Sequence, residues 1–432
     1  MTRVSLREHV MRRVVEPTVV RFYQWRGDPV ARLMQPATRA DPYPLYDEFR
    51  RHELFRSPLG VWATSSHDAA ASILRDQRFS SSPVHRSGYR PPPYPDGDPR
   101  AELPAADLLT LDPPDHTRLR RLVSSAFTPR AIAGLEPWIR DVTGRLLAQT
   151  DATAGFDLID GLAFPLPIAV ICHLLGVPAE DRARFRDWGH DVAATLEPQT
   201  FRAAENQSRA SELALTEYLR DLVRKRRADP DDSLLSALIA AEEEGDRLSS
   251  SELVSTALLL LVAGFETTVN LIGNGTVALL GDREQWQRLA KEPALVPAAV
   301  EELLRYDSPV QLTSRIATEN VAVGGTVIPK GASVIVLIGG ANRDPGVFDH
   351  PGRLTLDRPN AARHLSFSLG IHHCLGAALA RLEMTIALEE IGALFSGYEI
   401  DMPNARQVHS PHQRGFASLP CSVTHRARPA TA

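Results

Sequence analysis

Residues 367–376 read Phe-Ser-Leu-Gly-Ile-His-His-Cys-Leu-Gly, and this stretch predicts more about the chain than any other. Cys374 stands in a loop between Gly370 and Gly376, directly before a helix-like sequence at residues 377–383. A thiol at the start of a helix lies in positive potential and ionises more easily. The thiolate is the form that binds metals, and the two glycines let the backbone approach a flat ligand closely. The stretch therefore predicts a site that holds a ligand through sulfur.

A cysteine beside histidines has other uses, namely a zinc site, a catalytic nucleophile or a buried thiol. Zinc needs about four ligands, normally in two paired clusters. Here His372, His373 and Cys374 are consecutive, and the other thiols, Cys172 and Cys421, have no paired spacing with them. A hydrolase of the Cys–His type would need a distant histidine, which the 14 histidines allow but no signature supports. The spacing disfavours zinc, and the loop alone leaves the other uses open.

Composition excludes several classes of protein. The 432 residues are 43% hydrophobic, enough for a sizeable core, and the formal net charge of -5 gives no general case for nucleic-acid or lipid binding. Three cysteines argue against a disulfide framework and fit a reducing compartment. Residues 1–13 are charged throughout, and the most apolar run, residues 257–264, is too short to span a bilayer. We expect a soluble, cytoplasmic protein without nucleic-acid or membrane partners.

The pattern along the chain predicts a mainly α protein with small β-sheets, an α+β fold. Residues 80–104 contain seven prolines and two glycines, which excludes a helix or a central strand there and indicates a linker or a mobile loop over a binding site. Most of the remainder has helical periodicity, whereas residues 320–337 are rich in β-branched residues broken by turns. We expect residues 1–40 to form an N-terminal extension and residues 41–432 a single domain.

A long helix is predicted to begin near Ser249, which stands in capping-box spacing with Glu252, and to reach about Leu280. Mid-way along it, residues 263–268 read Ala-Gly-Phe-Glu-Thr-Thr. A glycine in a helix costs roughly 1 kcal/mol relative to alanine, and a buried glutamate needs partners. A solvent-facing polar stripe would explain the segment simply. The apolar runs on both sides instead indicate burial on most faces of the helix.

The cysteine loop resembles the proximal haem-ligand loop of the cytochrome P-450 family. The positions that match the family motif are Phe367, Gly370, His372, Cys374 and Gly376. Ser368 stands where the family usually has glycine. The resemblance extends from about Asp41 to Ser422. It implies the cytochrome P-450 fold with a long central helix over haem b (iron protoporphyrin IX), and Cys374 as the axial ligand of the haem iron.

Residues 263–268 resemble the oxygen-binding stretch of that family's central helix. The resemblance implies that Ala263 and Gly264 leave room for dioxygen above the haem. It also implies that Thr267 donates a hydrogen bond and that Glu266 helps to deliver protons, because reductive O–O cleavage consumes protons. Thr267 and Glu266 are therefore the predicted catalytic residues.

Four basic residues match positions that bind the haem propionates in the family. They are His116 and Arg120, which are spaced to lie on one helix face, together with Arg315 and His372. Propionates need cationic or hydrogen-bonding partners. Any one of these residues alone would be an ordinary surface base.

The sequence Glu302-Leu-Leu-Arg305 resembles the structural Glu-x-x-Arg pair of the family. By itself, a pair at this spacing is usually a surface ion pair worth a few tenths of a kcal/mol. A second arginine completes the family's network, and we expect Arg358 in that role, with Arg353 as the alternative.

The resemblance implies a soluble bacterial, actinomycete-like haem-thiolate monooxygenase. Such an enzyme uses O2 and two externally supplied electrons to hydroxylate or epoxidise a hydrophobic small molecule, here in secondary metabolism. The chain has no nicotinamide or flavin signature, so a ferredoxin and a ferredoxin reductase are the expected electron donors, with Arg118, Arg121 and Arg381 as contacts. Candidate substrate-lining positions are residues 80–109, Leu259, Ala263, residues 310–313, Phe416 and Ala417.

Three alternatives stay open at this point. The first is oxidative coupling or desaturation by the same type of enzyme, on a substrate that is either free or bound to a carrier protein. The second is a haem-binding sensor without turnover, which Glu266 and Thr267 disfavour. The third is a zinc hydrolase.

Overall fold

The structure is a computed structural model, and it describes residues 16–89, 107–150, 155–193, 205–243, 248–408 and 410–426. Residues 1–15 of the expected N-terminal extension and residues 90–106, which include most of the proline-rich segment, lie outside the described residues.

Helices make up most of the described chain, as the sequence predicts. The α-helices are α1 (Glu16–Trp25), α2 (Pro29–Arg32), α3 (Pro36–Ala40), α4 (Tyr43–Arg50), α5 (His67–Arg75), α6 (Asp115–Ser124), α7 (Pro129–Gly134), α8 (Glu136–Ala148), α9 (Pro165–Leu174), α10 (Arg182–Ala193), α11 (Glu205–Ala228), α12 (Leu234–Glu243), α13 (Ser250–Gly281), α14 (Arg283–Lys291), α15 (Val296–Tyr306), α16 (Ile338–Ala341) and α17 (Ala377–Leu394).

The strands are short and form small sheets. They are β1 (Phe55–Arg56), β2 (Trp62–Thr64), β3 (Phe79–Ser80), β4 (Phe156–Asp157), β5 (Thr313–Ala317), β6 (Val321–Val323), β7 (Thr326–Ile328), β8 (Ser333–Val336), β9 (Phe395–Ile400), β10 (Arg406–Gln407), β11 (Phe416–Ser418) and β12 (Pro420–Arg426). The largest sheet has the order β1-β2-β8-β5-β3, in which only the β2–β8 pair is parallel. The other sheets have the orders β4-β12-β9, β10-β11 and β6-β7.

The strand-rich patch predicted at residues 320–337 is confirmed as β6, β7 and β8. Val321 pairs with Ile328, and Val323 pairs with Thr326, so β6 and β7 form a hairpin. Both turn residues between them are glycines with positive φ, 52° and 77°. Two successive positive φ angles are what a two-residue hairpin requires.

The long helix α13 begins with the predicted capping box. Ser249 Oγ accepts a hydrogen bond from Glu252 N, and Glu252 Oε2 accepts one from Ser249 N at 2.8 Å. The helix has 32 residues and ends at Gly281, one residue past the predicted end. Its length and hydropathy would suit a membrane span, but 61% of its most apolar window is buried within the protein. It packs against α9, α11, α15 and α17 as the central helix of the largest hydrophobic cluster.

Candidate active site

The cysteine loop folds back on itself directly before α17. Cys374 N donates a hydrogen bond to Phe367 O at 2.8 Å, and His373 N donates one to Gly370 O at 3.1 Å. From α6, Arg120 Nη2 donates to His373 O at 2.6 Å. These bonds hold the backbone of His373 and Cys374 in place, so the loop is anchored directly before the sulfur.

Two residues of this loop adopt left-handed backbone conformations. Gly370 has φ 71°, and a Cβ at this position would lie 2.5 Å from Leu74 O of α5. Only glycine fits there. Ser368 has φ 58°, which is unfavourable for a residue with a side chain, and its Oγ accepts a long hydrogen bond of 3.4 Å from Arg315 Nη2. The family's usual glycine at position 368 thus has a conformational reason.

Cys374 is accessible to solvent although protein closely surrounds it. Burial raises the pKa of its thiol. The backbone N–H of Gly376 and the charges of Arg120 and Arg381 act in the opposite direction. A metal cation at the sulfur would outweigh the effect of burial, because a coordinating thiol loses its proton. The thiol is therefore placed to serve as a ligand.

His116 and His372, both among the predicted propionate ligands, lie side by side. Their ring centroids are 4.5 Å apart, and the Nε2 atom of each is buried without a hydrogen-bond partner in the described part of the protein. Arg315 of β5 is buried as well, and its Nη1 is bonded to Thr313 Oγ1 at 3.2 Å and to Ser314 O at 2.9 Å. These side chains share one region of the protein interior.

The basic residues of this cluster have lowered pKa values, as buried bases do when too little negative charge lies nearby. Burial, together with the charges of Arg315 and His116, lowers the pKa of His372 to about 4. Burial also lowers the pKa of Arg315 to about 10, and it lowers the pKa of both His116 and Arg120. Asp112 is a carboxylate that opposes these effects. Two propionates would supply both the missing charge and the missing acceptors, so the residues fit haem.

On α13, the two threonines of the predicted oxygen-binding segment bond to their own helix. Thr267 Oγ1 donates to Ala263 O at 3.1 Å, and Thr268 Oγ1 donates to Gly264 O at 3.3 Å. Gly264 is exposed, whereas the next residue, Phe265, is buried. The helix therefore has a small, exposed residue one turn before Thr267, and a Cβ at Gly264 would lie 3.5 Å from Ile171 Cδ1.

Glu266 has a partner that sequence reasoning missed. Gln413 Nε2 donates a hydrogen bond to Glu266 Oε2 at 2.8 Å, and Asn270 Nδ2 donates to Gln413 Oε1 at 3.0 Å. Asn270 could have been suspected, because it lies one turn from Glu266 on the same helix face. Gln413 is 147 residues away from the glutamate, and no local pattern indicates it.

The Glu302–Arg305 pair is fully buried rather than on the surface. Arg305 binds both carboxylate oxygens of Glu302, at 2.6 and 2.7 Å. Arg358 Nε binds the same two oxygens at 3.1 and 3.0 Å. Arg353, the alternative considered for this position, contributes its backbone oxygen, which accepts from Arg305 and Arg358. The structure thus brings Glu302, Arg305 and Arg358 together.

The arginines expected at the redox-partner surface have intramolecular partners. Arg118 is hydrogen-bonded to Glu252, at the start of α13. Arg381 Nη2 donates to Glu301 Oε2 at 3.0 Å, and its guanidinium lies 4.5 Å from the centre of the Phe367 ring. These two side chains therefore have local structural roles.

The candidate substrate-lining positions differ in their environment. Leu259 and Ala263 are half-buried on α13. The side chain of Gln311 is bonded to Tyr46 Oη at 3.0 Å and to Ser308 O at 2.7 Å. Phe416 is buried in the main core beside Gly273, two turns further along α13 than Glu266. Gln311 is therefore held by hydrogen bonds within the protein, and Phe416 packs in the core.

The geometry does not support a zinc site in the described part of the chain. Across the ranges that the structure describes, no group of three or more His, Cys, Asp and Glu side chains could hold a metal ion. A haem-thiolate site needs only one protein sulfur, since the porphyrin supplies the remaining in-plane ligands. Cys374 together with the basic cluster meets that smaller requirement.

Comparison with known proteins decides the family. The cytochrome P-450 family model matches residues 65–424. The chain belongs to the cytochrome P-450 family. It is therefore an oxidoreductase of the monooxygenase type, and its cofactor is haem b, which members of the family bind through a cysteine thiolate.

Similar proteins are bacterial. Cytochrome P-450 107B1 of Saccharopolyspora erythraea is 46% identical over 323 residues, which cover 72% of this chain and 76% of that protein. Vitamin D(3) 25-hydroxylase of Pseudonocardia autotrophica is 42% identical over 365 residues, which cover 82% of this chain and 86% of that protein. The crystal structure of P450BioI with an acyl carrier protein bearing hexadec-9Z-enoic acid superposes with a TM-score of 0.83, at 34% identity, over 90% of this chain and all of that one. The predicted fold is thus confirmed.

Proposed function

We propose that this cytochrome P-450 hydroxylates or epoxidises a hydrophobic small molecule of secondary metabolism in the cytoplasm. Its electrons would come from a ferredoxin and a ferredoxin reductase, because the sequence has no nicotinamide or flavin signature. An apolar substrate is supported by the relative that is 42% identical and is named as a hydroxylase of vitamin D(3). One observation carries the proposal. The accessible Cys374 thiol lies near a cluster of buried basic side chains, in which Nε2 of His116 and Nε2 of His372 have no hydrogen-bond partner among the described residues.

Residues of the chain divide the work of holding the cofactor. Cys374 is the proposed axial ligand of the haem iron, held in place by Phe367, Gly370 and Gly376. The propionates would be bound by His116, Arg120, Arg315 and His372. The bound haem supplies the activation of dioxygen with two electrons, and the protein supplies orientation and exclusion of side reactions.

Proton supply for the reaction is assigned to α13. Ala263 and Gly264 would provide space, because neither has a side chain larger than a methyl group. The Thr267 hydroxyl, which donates to Ala263 O at 3.1 Å, can turn about its C–O bond and present its proton on the ligand side. Glu266 is the acid that replaces this proton. Arg358, Glu302 and Arg305 have no part in this chemistry and hold the proximal region together.

The decisive experiment is the spectrum of the reduced, carbon monoxide-treated protein. The native protein is expected to show the thiolate-type Soret shift, and Cys374→Ser is expected to lose it. Cys421→Ser is the matched control, because the Cys421 thiol donates to Leu419 O at 3.2 Å and a hydroxyl can take over that bond. An unchanged shift in Cys374→Ser would refute the ligand assignment.

A test of the catalytic assignment uses Thr267→Ala. This variant is expected to bind haem normally but to release more hydrogen peroxide at the expense of product. Full coupling of electron consumption to product in Thr267→Ala would contradict the role in proton delivery. Substrates for the assay come from screening apolar compounds for a low- to high-spin change.

A second candidate function is oxidative coupling or desaturation of a substrate that is either free or bound to a carrier protein. It is supported by the structural neighbour P450BioI, whose crystal structure contains a loaded acyl carrier protein. The spin-state change caused by a free acid is compared with the change caused by the same acid on a carrier protein. A response to the free acid alone would rule out a carrier-bound substrate, and analysis of the products separates coupling and desaturation from hydroxylation.

A further inference from the structure

The side chain of Gln413 joins two residues of α13 to the C-terminal part of the chain. Its Nε2 donates to Glu266 Oε2 at 2.8 Å, and its Oε1 accepts from Asn270 Nδ2 at 3.0 Å. Asn270 is almost fully buried, with 1% of its surface exposed. One amide group thus connects the carboxylate on the helix with a second amide that cannot move into solvent.

The backbone on either side of Gln413 is attached to the segment that precedes β5. Gln311 N donates to His412 O at 2.8 Å, and Arg414 N donates to Pro309 O at 2.8 Å. These bonds flank Gln413 and fix where its side chain starts. The amide therefore reaches α13 from a defined position.

Gly415 allows this part of the chain to approach α13 closely. A Cβ at Gly415 would lie 1.7 Å from Asn270 Oδ1, so a residue with a side chain would push the two elements apart. One turn further along the helix, Asn274 Nδ2 donates to Arg414 O at 2.9 Å. Two asparagines of α13 and one glycine thus dock the segment against the helix beside Glu266.

We propose that Gln413 is a positioning residue that orients the Glu266 carboxylate for proton delivery. The inference rests on the role assigned to Glu266 under the proposed function and adds the group that holds it. An amide N–H donates a hydrogen bond but does not give up its proton at neutral pH. Gln413 therefore acts on the direction of the carboxylate and is not itself a member of the proton path.

Asn270 decides which end of the Gln413 amide faces Glu266. Its Nδ2 needs an acceptor, so Gln413 turns its oxygen toward Asn270 and its nitrogen toward the carboxylate. Replacing Asn270 by aspartate puts an acceptor where the donor was. The new carboxylate would attract Gln413 Nε2 and turn the amide oxygen toward Glu266. Asn270→Asp, which is separated from Glu266 by two hydrogen bonds, should thus disorient the Glu266 carboxylate although Gln413 itself is unchanged.

The first test measures peroxide released and product formed by the haem-loaded enzyme with a surrogate ferredoxin system. Gln413→Met, which has a similar length but no donor, and Asn270→Asp are both expected to raise the ratio of peroxide to product, by about 10-fold. Gln285→Leu replaces a buried glutamine of α14 and should leave this ratio unchanged. A native ratio in Gln413→Met overturns the inference, and so does a native ratio in Asn270→Asp.

The second test does not depend on turnover. Urea unfolding midpoints of the haem-loaded protein are compared for Gln413→Met, Glu266→Met and the double variant. If the two side chains stabilise each other, the double variant loses no more than the more affected single variant. Losses that simply add would contradict the hydrogen bond.

The two tests separate this inference from the proposed function. Absence of the thiolate-type Soret shift in the native protein overturns the proposed function, whereas the unfolding midpoints still test the Gln413–Glu266 bond. If Thr267→Ala uncouples the enzyme and Gln413→Met does not, the proposed function stands and the positioning role of Gln413 is wrong.

Discussion

Arg358 Nε lies 3.1 and 3.0 Å from the two carboxylate oxygens of Glu302, across 56 residues of chain, and both side chains are nearly excluded from solvent. Arg305 binds the same carboxylate from the helix that carries it. The backbone N–H of Thr355 donates a further bond to Glu302 at 3.0 Å. One carboxylate therefore ties α15 to the segment that leads to the cysteine loop.

Removing Arg358 should destabilise the protein strongly. Arg358→Leu leaves the buried charge of Glu302 with one cationic partner fewer, which typically lowers the free energy of unfolding by about 3 kcal/mol. Urea unfolding measures the change. Arg353→Leu is the control, because the exposed Arg353 joins the network only through its backbone oxygen. Equal losses in the two variants would contradict the contact geometry.

Removing Arg315 should weaken haem binding more than it weakens folding. Arg315→Leu deletes a buried cation from the cluster with His116 and His372, and a charge-assisted hydrogen bond contributes about 1.5–3 kcal/mol. We expect haem transfer to a scavenger protein to become at least about 10-fold faster. Arg145→Leu removes an exposed arginine of α8 and should not change this rate. An unchanged rate in Arg315→Leu would show that this residue does not hold a propionate.

Glu383 should make stability depend on pH. It is buried on α17, its Oε2 has no hydrogen-bond partner among the described residues, and burial raises its pKa to about 8. Between about pH 4.5 and pH 8 the folded protein then binds more protons than the unfolded chain, so its contribution to stability falls as the pH rises and levels off above pH 8.

The test for Glu383 compares urea midpoints at pH 5 and pH 8. Glu383→Gln stays neutral, so the loss of about 3 kcal/mol that this residue causes in the native protein over that range should disappear. Glu180→Gln, an exposed substitution, should leave the native pH dependence in place. A steeper decline in Glu383→Gln would reverse the sign of the assigned effect.

Ser368 and Gly370 should respond in opposite ways to exchange of their side chains. Ser368→Gly relieves a left-handed residue and should raise the free energy of unfolding by about 1 kcal/mol. Gly370→Ala adds a Cβ 2.5 Å from Leu74 O and should lower it by more than that. Chemical unfolding of the haem-loaded protein measures both. A stabilised Gly370→Ala would mean that the loop does not pack against α5 in this way.

Patterns confined to neighbouring residues were readable in the sequence. The capping box of Ser249 and Glu252 depends on a spacing of three residues, and the β6–β7 hairpin depends on two adjacent glycines. The cysteine loop is equally local, because Phe367 and Cys374 make their backbone contact within the single loop of residues 367–374. Local hydrogen bonding and backbone sterics determine such features, so the order of residues is enough to predict them.

Partners from distant parts of the chain were not readable in that way. The packing of distant elements decides that Arg358, and not Arg353, turns its side chain to Glu302. It also decides that Gln413 reaches Glu266. The positive φ of Ser368 and the solvent-excluded carboxyl of Glu383 have the same origin. Sequence alone determined the helical fold, the cysteine loop and the acid–alcohol pair. Tertiary packing decided the raised pKa of the Cys374 thiol and the orientation of the Glu266 carboxylate, because burial and hydrogen-bond partners exist only once the helices and loops are assembled.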